Sequence, residues 1–579
     1  MSNLAAELQK QIRQAEELLF SGPQEEGFAK GLFFGEFRQE AIYPYPRFTP
    51  EQQAQGDAAL AKVKQFAQEK IDPVAIDRNA DIPPDVIQGL GDVGVLGATI
   101  PREFGGQALS QQNYCRIMEV IGARCAATAV FVNAHHSIGL RALNLFGTDA
   151  QKKKWLKPLA AGQILAAFAL TEEQAGSDAS NVQTRARVSG DGKGYILTGS
   201  KRYITNGGIA QVLTVMARTP DPQDEDGKVT AFLVTPDMPG FQVIEPRMPK
   251  CGIKGTATAK LAFNEMYVPK ENVLGSVGKG LRVALTVLDF GRTTFGASCT
   301  GAAKFCLEKA VEHARTRKQF GKTLGEFGLV KQKIAQMAAN IYAMESATYH
   351  TAALIDRGAE DFMIETAMLK VFASDALWTI VNDTLQIYGG AGYFNDQPFE
   401  RMMRDARINT IGEGANDVLR CFIPAVGLRP LGMQMQEVLK KPWQVKKLWR
   451  GAPPAIPIVH ALFQPAVSHY SRQILSFARA CEIALFRHRE GIVEQQYVLA
   501  RLGDIATDLF LSGCVYSRLM SHFMNREHYP AHSSDLHAGL LFMKSAARRN
   551  AVRLAELKDN DDHDHDRTAE LLLGRGDTH

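Results

Sequence analysis

The sequence predicts an α+β fold in which the strands are grouped in one segment. Apolar residues recur at helical spacing up to about residue 163 and again from about residue 279. Residues 164–278 instead hold short runs rich in β-branched and aromatic residues, separated by turn signals. Grouped strands argue against a doubly wound parallel sheet, in which strands and helices alternate. A chain of 579 residues has room for three or four domains.

The first part of the chain divides into a lead and a helical domain. We assign 1–50 to an N-terminal lead and 51–163 to helices. The segment EQQAQGDAALAKVKQFAQEKI spaces its apolar residues at helical intervals, and the apolar stretch 113–147 predicts helices packed on most sides.

The middle segment, 164–278, is predicted to be a β domain. Runs such as YILTGSKRYIT (195–205) and TAFLV (230–234) have strand composition. Asn206, Gly207 and Gly208 form a turn signal between two of them.

Helical patterning returns over 279–425. The basic, proline-containing stretch 426–465 indicates a linker, and 466–556 predicts a helical C-terminal extension. The acidic tail 557–579 begins with LKDNDDHDHDR (557–567), so we expect it to be disordered.

Composition limits the class of protein. Hydrophobic residues make up 45% of the chain and the net charge is +4, which excludes general disorder and argues against nucleic-acid binding. The eight cysteines form no CxxC pair and indicate reduced thiols. Without a signal peptide or a membrane-spanning stretch, we expect an intracellular protein, cytoplasmic if bacterial.

Two patterns that suggest binding sites are rejected. The GxGxxG pattern from Gly89 to Gly94 follows a predicted helix rather than the strand that a dinucleotide site needs. His135 and His136 are adjacent, so in a helix they point in different directions and share a metal poorly. The sequence therefore predicts no metal site.

Four motifs carry the chemistry. In chain order they are FALTEEQAGSDASNVQT (168–184), GSKRYITNGG (199–208), ARTRKQFGKTLGEF (314–327) and QIYGGAGYFNDQPFERMMRDARINTIGEGANDVLR (386–420). Together they resemble the acyl-CoA dehydrogenase family over about 50–430. The segment GFAKGLFFGEF before the usual start and the long C-terminal extension resemble its very-long-chain subgroup.

This resemblance implies a fold and an activity. The expected fold is an N-terminal helical domain, a middle β domain and a C-terminal four-helix domain, plus an extra C-terminal helical domain. The expected reaction is FAD-dependent α,β-dehydrogenation of acyl-CoA thioesters to trans-2-enoyl-CoA in fatty-acid β-oxidation. Electrons would pass to an electron-transferring flavoprotein. Two alternatives stay open, an acyl-CoA oxidase that uses oxygen and a catalytically idle scaffold on the same fold.

The resemblance also assigns an FAD site. Thr171 would contact the isoalloxazine, Thr205 would lie near its N5, and Tyr203 would pack on the ring. Arg317 and Phe320 would reach the flavin of a neighbouring subunit, which implies a homodimer. The expected cofactor-binding residues are Phe168, Leu170, Thr171, Gly176, Ser177, Tyr203, Thr205, Arg317, Phe320, Gln386, Gly389, Gly390 and Asn416.

The reaction needs a base for the proton α to the thioester. A carboxylate can be basic near neutral pH when apolar surroundings raise its pKa. Glu413 matches the base of the family, and Gly291 occupies the position where some relatives carry it instead. The expected substrate-binding residues are Ser177, Asp289, Arg292, Glu413 and Gly414.

Departures from the family pattern bear on the substrate. Gly412 and Ala415 stand where relatives usually have an aromatic residue and Thr, so we expect a roomier pocket and one flavin hydrogen bond fewer. Small residues at Ala126, Ala127 and Ala129 favour a long acyl chain, although close helix packing explains them equally well.

The segment 440–450, with five basic residues and two tryptophans, suggests peripheral contact with the inner face of a membrane.

Overall fold

The structure, a computed structural model, describes residues 27–222, 224–440, 451–524 and 533–574. The chain separates into two compact units. The first unit is built on Pro46–Ala415, and the second combines the stretch up to Tyr45 with the chain from Asn416 onward. The predicted α+β class is confirmed.

Helices occupy most of both units. In chain order they are α1 Phe28–Phe33, α2 Gln39–Ile42, α3 Pro50–Lys70, α4 Pro73–Asn79, α5 Pro84–Asp92, α6 Gln111–Arg124, α7 Ala126–Val132, α8 Arg141–Phe146, α9 Asp149–Ala160, α10 Gly280–Thr316, α11 Gly328–Asp356, α12 Met363–Tyr388, α13 Gly390–Tyr393, α14 Phe399–Arg407, α15 Asn416–Lys440, α16 Gln464–His488, α17 Gln496–Met524, α18 Ser534–Glu556 and α19 Asp562–Leu572. A π-helical segment, Asn133–Leu140, joins α7 to α8.

The strands form one main sheet and a small hairpin. They are β1 Ala166–Ala169, β2 Arg185–Val188, β3 Gly194–Ile204, β4 Val212–Asp221, β5 Asp224–Val234, β6 Phe241–Glu245, β7 Ala259–Pro269, β8 Val273–Leu274, β9 Lys318–Gln319 and β10 Lys322–Thr323. The main sheet runs β6-β7-β3-β2-β4-β5-β8, with β1 parallel to β4.

An irregularity in the pairing of β3 with β7 shapes the site. The register shifts between Lys201 and Ile204. Tyr203, inside this bulge, has φ 61° and is 57% exposed. A bulge can turn a side chain out of the regular alternation of a strand, which is its effect on Tyr203.

The helices of the first unit pack closely at small residues. A Cβ on Gly122 of α6 would collide with the backbone at Ser298 of α10, and one on Gly301 would collide with the backbone at Glu119. The two helix backbones therefore touch without intervening side chains. This contact fixes the middle of α10, which carries part of the site.

The second unit contains the N-terminal lead. The rings of Phe33 and Phe477 lie 4.9 Å apart, Ser517 Oγ donates to Ile42 O at 2.6 Å, and Tyr45 N donates to Ser521 Oγ at 2.9 Å. Residues that precede the catalytic domains thus fold with the C-terminal extension, a pairing that periodicity could not reveal.

Two predicted boundaries differ from the structure. The linker expected from 426 is helical at its start, because α15 continues to Lys440. The tail predicted to be disordered over 557–579 contains α19, so that prediction is wrong for this stretch. The reason is remote charge pairing, since Arg501 of α17 binds both carboxylate oxygens of Asp562 at 2.6 Å.

No described helix is both long and apolar enough to cross a membrane. The segment 440–450, for which membrane contact is expected, lies outside the described residues except for Lys440.

Candidate active site

The loop before α15 carries Glu413 in an unusual conformation. Glu413 has φ 58°, in the left-handed region that non-glycine residues rarely adopt. Arg292 Nε of α10 donates to Glu413 O at 3.2 Å, and Lys370 Nζ of α12 donates to Gly414 O at 2.6 Å. Both cationic side chains are buried. Two helices thus hold the loop by its carbonyl groups, which maintains the strained backbone.

The two carboxylate oxygens of Glu413 have different surroundings. Asn133 Nδ2 donates to Oε1 at 2.6 Å. Oε2 is buried and accepts no hydrogen bond from the described residues. A Cβ on Gly291 would lie 3.1 Å from Oε2 and 3.1 Å from Ile138 Cγ1, so the absence of a side chain at Gly291 makes room for the carboxylate.

The surroundings of Glu413 raise the pKa of its carboxyl group toward neutral pH. Burial raises its pKa to about 7, although the charges of Lys370 and Arg292 and the bond from Asn133 act in the opposite direction. Burial also lowers the pKa of Lys370 to about 8. A carboxylate with a pKa close to the working pH is suited to proton abstraction.

Asp289 and Arg292 form a buried pair beside this loop. Arg292 Nη1 donates to Asp289 Oδ1 at 3.2 Å, and Thr366 Oγ1 donates to the same oxygen at 2.8 Å. Burial raises the pKa of Asp289 to about 6. Arg292 therefore links Asp289 to the main chain of Glu413, a connection that sequence spacing alone could not show.

The loop that follows β1 holds the first group of predicted flavin contacts. Its anchor is Glu172, which is 6% exposed and pairs at 2.6 Å with the fully buried Lys201. Glu172 also accepts from Gln183 N at 2.6 Å and from Thr184 Oγ1 at 2.6 Å. Burial raises the pKa of Glu172, but the charge of Lys201 and these bonds outweigh it and leave that pKa below its usual value.

This anchor brings the loop against β3. Lys201 Nζ donates to Leu170 O at 2.9 Å, and Arg202 N donates to Thr171 O at 2.9 Å. Thr171 is therefore placed next to the bulge that presents Tyr203. Glu172 and Lys201 were missed in the sequence, where the only signal was a lysine in an otherwise strand-like run.

The remaining residues of this group are accessible. Gly176 and Ser177 are exposed, whereas Phe168, Leu170 and Thr205 are partly buried. Next to Thr205, Asn206 Nδ2 donates to Phe131 O at 3.1 Å, which ties the strand end to α7.

A second group lies at the ends of α10 and α12. Arg317 caps α10, and Phe320 of the β9–β10 hairpin has φ 50° and is 90% exposed. Gln386 and the open glycines Gly389 and Gly390 follow at the end of α12. The rings of His313 and Tyr388, 4.1 Å apart, join the two helix ends beside a cleft of about 400 Å³.

Two expected site residues on α10 are far apart within one chain. Twenty-five residue steps of α10 separate Arg292 from Arg317, which corresponds to about 37 Å. Asn416, another expected cofactor contact, belongs to the second unit, where it is the buried first residue of α15.

Residues expected to shape the acyl pocket differ in their surroundings. A Cβ on Gly412 would meet only Ile408 O, at 3.7 Å, among the described atoms, so no described side chain crowds the first carbon that a larger residue would add here. Ala127 and Ala129 are buried in the apolar core together with Phe131. Close packing therefore accounts for these alanines.

The exposed surfaces fit the expected FAD. Gly176, Gly389 and Gly390 have no atoms within 4 Å of a built Cβ, so their backbone is open to phosphate oxygens. Tyr203 is 57% exposed, with the guanidinium carbon of Arg202 4.9 Å from the centre of its ring, and it lies next to the loop that Lys201 holds by Leu170 O. Within the described ranges, no group of three or more His, Cys, Asp or Glu side chains is arranged to hold a metal ion.

Comparison with family models gives four consecutive matches. Residues 50–163, 167–266 and 278–427 match the N-terminal, middle and C-terminal domains of acyl-CoA dehydrogenase. Residues 461–572 match the model described as ACAD9/ACADV, C-terminal domain.

Individual proteins agree with these matches. The very long-chain specific acyl-CoA dehydrogenase of human mitochondria is 37% identical over 543 residues, which cover 90% of this chain and 83% of the relative. An acyl-CoA dehydrogenase of Bacillus anthracis complexed with FAD superposes with a TM-score of 0.76 at 27% identity, covering 96% of this chain and 94% of that one. The butyryl-CoA dehydrogenase of Megasphaera elsdenii gives a TM-score of 0.62 at 35% identity, covering 66% and 98%.

Proposed function

Because this chain belongs to the acyl-CoA dehydrogenase family, we propose that it oxidises acyl-CoA thioesters to trans-2-enoyl-CoA in β-oxidation, with Glu413 as the base. One observation carries the assignment of the base. Glu413 is held by its carbonyl group and by one carboxylate oxygen, while the other oxygen has no partner among the described residues. Such an oxygen is ready to accept a proton.

Different residues of the chain have different roles in this reaction. Glu413 takes the proton from the α carbon, and Arg292 and Lys370 keep the loop in place while its charge changes. The loop around Thr171 and the face of Tyr203 would hold the isoalloxazine of FAD, and Gly176 and Ser177 would approach its phosphates. FAD, the cofactor of the family, accepts the hydride from the β carbon when it is bound.

Replacing Glu413 tests this assignment. We expect Glu413→Gln to bind FAD normally but to lose about 10²–10⁴-fold in dehydrogenation rate, because the amide cannot accept the proton. The measurement is anaerobic bleaching of the flavin by palmitoyl-CoA. Normal bleaching in the variant would refute the base, and an FAD-loaded wild type that no acyl-CoA from short to very long bleaches would favour an idle scaffold.

We propose a long-chain substrate. The similarity to a very long-chain specific enzyme over 90% of this chain and the open space at Gly412 support it. Measuring kcat/KM with straight and branched acyl-CoAs of increasing length tests it. A maximum at four to six carbons would contradict the proposal.

We propose an electron-transferring flavoprotein as the acceptor. Comparing turnover in air with turnover on an artificial acceptor under nitrogen separates this function from an oxidase. Rapid turnover in air with release of hydrogen peroxide would show an oxidase instead.

We propose that the active form is a homodimer with shared FAD sites. Arg317 lies about 37 Å along α10 from Arg292, and Phe320 is 90% exposed. The glycines at the end of α12 follow Tyr388, whose ring stacks on His313 near the same end of α10. A second subunit would bring this group to the flavin of its neighbour. Phe320→Asp should lower both the sedimentation coefficient and the FAD content, and a monomeric wild type with full FAD would contradict the proposal.

We propose an intracellular protein that touches anionic membranes through 440–450. The eight cysteines all lie among the described residues and form no disulfide, which suits a reducing compartment. Reversing the charges of Lys440, Lys441, Lys446 and Lys447 should abolish sedimentation with anionic vesicles. Equal sedimentation of wild type and variant would refute the role of this segment.

A further inference from the structure

A chain of buried side-chain hydrogen bonds leads from Glu413 into the helical core. Asn133 Nδ2 lies 2.6 Å from Glu413 Oε1, and Asn133 Oδ1 lies 2.5 Å from Thr294 Oγ1. Ser137 Oγ is 2.9 Å from the same threonine oxygen and 3.2 Å from the hydroxyl of Tyr114. Asn133, Thr294, Ser137 and Tyr114 are all buried.

The direction of the bonds follows from the number of hydrogens. A hydroxyl has one hydrogen, and the side-chain carbonyl of Asn accepts but cannot donate. Thr294 Oγ1 lies closer to Asn133 Oδ1, at 2.5 Å, than to the carbonyl oxygens of Gly291 at 3.0 Å and Phe290 at 3.1 Å, so we assign its one hydrogen to the amide oxygen. With that hydrogen used, the contact between Thr294 and Ser137 needs the hydrogen of Ser137, and Tyr114 then donates to Ser137. Burial raises the pKa of Tyr114 well above its usual value, so its phenol keeps its hydrogen.

This order specifies the orientation of the Asn133 amide. Its oxygen is occupied by Thr294, so its nitrogen faces the carboxylate of Glu413. Asn133 and Ser137 both belong to the π-helical segment, and their spacing of four residues lets both side chains meet Thr294. Irregular helical turns of this kind are frequent at functional sites.

The geometry points to Asn133 as a positioning residue: it holds Oε1 of Glu413, so that Oε2 is the oxygen that takes the substrate proton. This inference rests on the proposed function, since it takes Glu413 as the base. Oε2 accepts no hydrogen bond from the described residues and lies beside Gly291 and Ile138.

Other groups also act on the charge of Glu413. Lys370 of α12 and Arg292 and Cys299 of α10 face it, and Asp289 pairs with Arg292. None of them is changed in the variants below. A change in the titration of Glu413 can therefore be attributed to the bond from Asn133.

Asn133→Leu removes the donor while keeping a similar shape. We expect the acidic limb of the pH profile of kcat/KM to move up by roughly one to two pH units, the shift equivalent to losing a hydrogen bond to a charged group. The carboxyl band of Glu413, isolated by infrared difference against Glu413→Gln, should titrate with the same upward shift. This second measurement does not depend on turnover.

Thr294→Val keeps the amide but removes the hydroxyl that orients it. We expect a shift in the same direction, smaller than that of Asn133→Leu. Thr300→Val is the matched control, because Thr300 is buried on the same helix and its hydroxyl donates to Gly296 O of its own helix. It should leave both titrations unchanged.

The outcomes separate this inference from the proposed function. If Glu413→Gln is inactive but Asn133→Leu titrates like the wild type, Asn133 has no positioning role. If Glu413→Gln remains active, the base assignment itself is wrong. If Asn133→Leu does not fold, Thr294→Val decides, and a shift no larger than that of Thr300→Val overturns the inference.

Discussion

Two buried glutamates of the first unit are surrounded in opposite ways. Glu172 accepts hydrogen bonds from Lys201, Gln183 and Thr184, and its pKa lies below the usual value. Among the described residues, the carboxylate of Glu413 accepts one hydrogen bond, from Asn133, and its pKa rises to about 7. Burial alone does not make a carboxylate basic, because the number of donors around it decides whether the charged form is favoured. The first arrangement holds a loop, and the second leaves an oxygen available for chemistry.

The largest effect on stability should come from breaking the buried ion pair between Glu172 and Lys201. Lys201→Met leaves a buried carboxylate without its cation, and we expect a loss of about 3–5 kcal/mol in the free energy of unfolding. Urea denaturation measures it. Arg187→Gln on the same sheet is the control, since its partner Glu265 is exposed and the loss should stay below about 1 kcal/mol. Equal losses in the two variants would show that burial of the pair is unimportant.

A methyl group at Gly291 should displace the carboxylate of Glu413. Gly291→Ala places a carbon 3.1 Å from Glu413 Oε2 and from Ile138 Cγ1, so we expect a stability cost of about 1–3 kcal/mol. Displacement of the base by about 1 Å should lower kcat up to about 100-fold. In the control Gly432→Ala, the nearest described neighbour of the new carbon is Leu485 Cδ2 at 3.8 Å, and kcat should not change. An unchanged kcat in Gly291→Ala would contradict this placement of Oε2.

The contributions of Glu172 and Glu413 to stability should depend on pH in opposite directions. Stability from Glu172 is present above the ordinary pKa of 4.5 and is lost as the pH falls through its lower folded pKa. Stability from Glu413 is present below 4.5 and is lost as the pH rises through about 7. Comparing the free energy of unfolding of Glu172→Gln and Glu413→Gln with that of the wild type, from well below pH 4.5 up to pH 8, tests the signs.

The activity should follow the titration of Glu413. Below about pH 7 Glu413 is protonated and cannot accept the substrate proton, so kcat/KM should fall about tenfold per pH unit. A profile that stays flat down to pH 5 would show that Glu413 is ionised throughout this range.

The smallest effect on stability is expected from a substitution at Gly412, next to Glu413. Gly412→Ala adds a carbon with only Ile408 O nearby, at 3.7 Å, so the free energy of unfolding should change by less than about 1 kcal/mol. Branched acyl-CoAs should lose more kcat/KM than straight ones. Equal losses for both would show that the space at Gly412 does not receive the acyl chain.

The sequence located the proposed base better than it located the residues that hold that base in place. Glu413, Asp289 and Arg292 stand in local motifs, so a resemblance over a few residues was enough to find them. Asn133 lies 280 positions from Glu413, and no local spacing predicts their contact. Lys201 appeared as one lysine in a strand-like run, and only the fold shows that Glu172 faces it.

The same reason explains the error in domain organisation. Tyr45 bonds to Ser521 across 476 positions, so the N-terminal lead could not be assigned to the C-terminal unit from periodicity. The tail was predicted to be disordered from its own composition, whereas Arg501 supplies the opposite charge from another helix. Local patterns predict elements, but partners distant in the chain determine where they pack.

The continuous helix α10, 37 residues long, also limits which insertions and deletions the protein tolerates. This one helix carries Arg292 about a third of the way along and is capped by Arg317. Each residue of a helix adds 1.5 Å and about 100° of rotation. Deleting or inserting a single residue between them would turn Arg317 by about 100° relative to Arg292. Substitutions can accumulate along this stretch, but changes of length cannot.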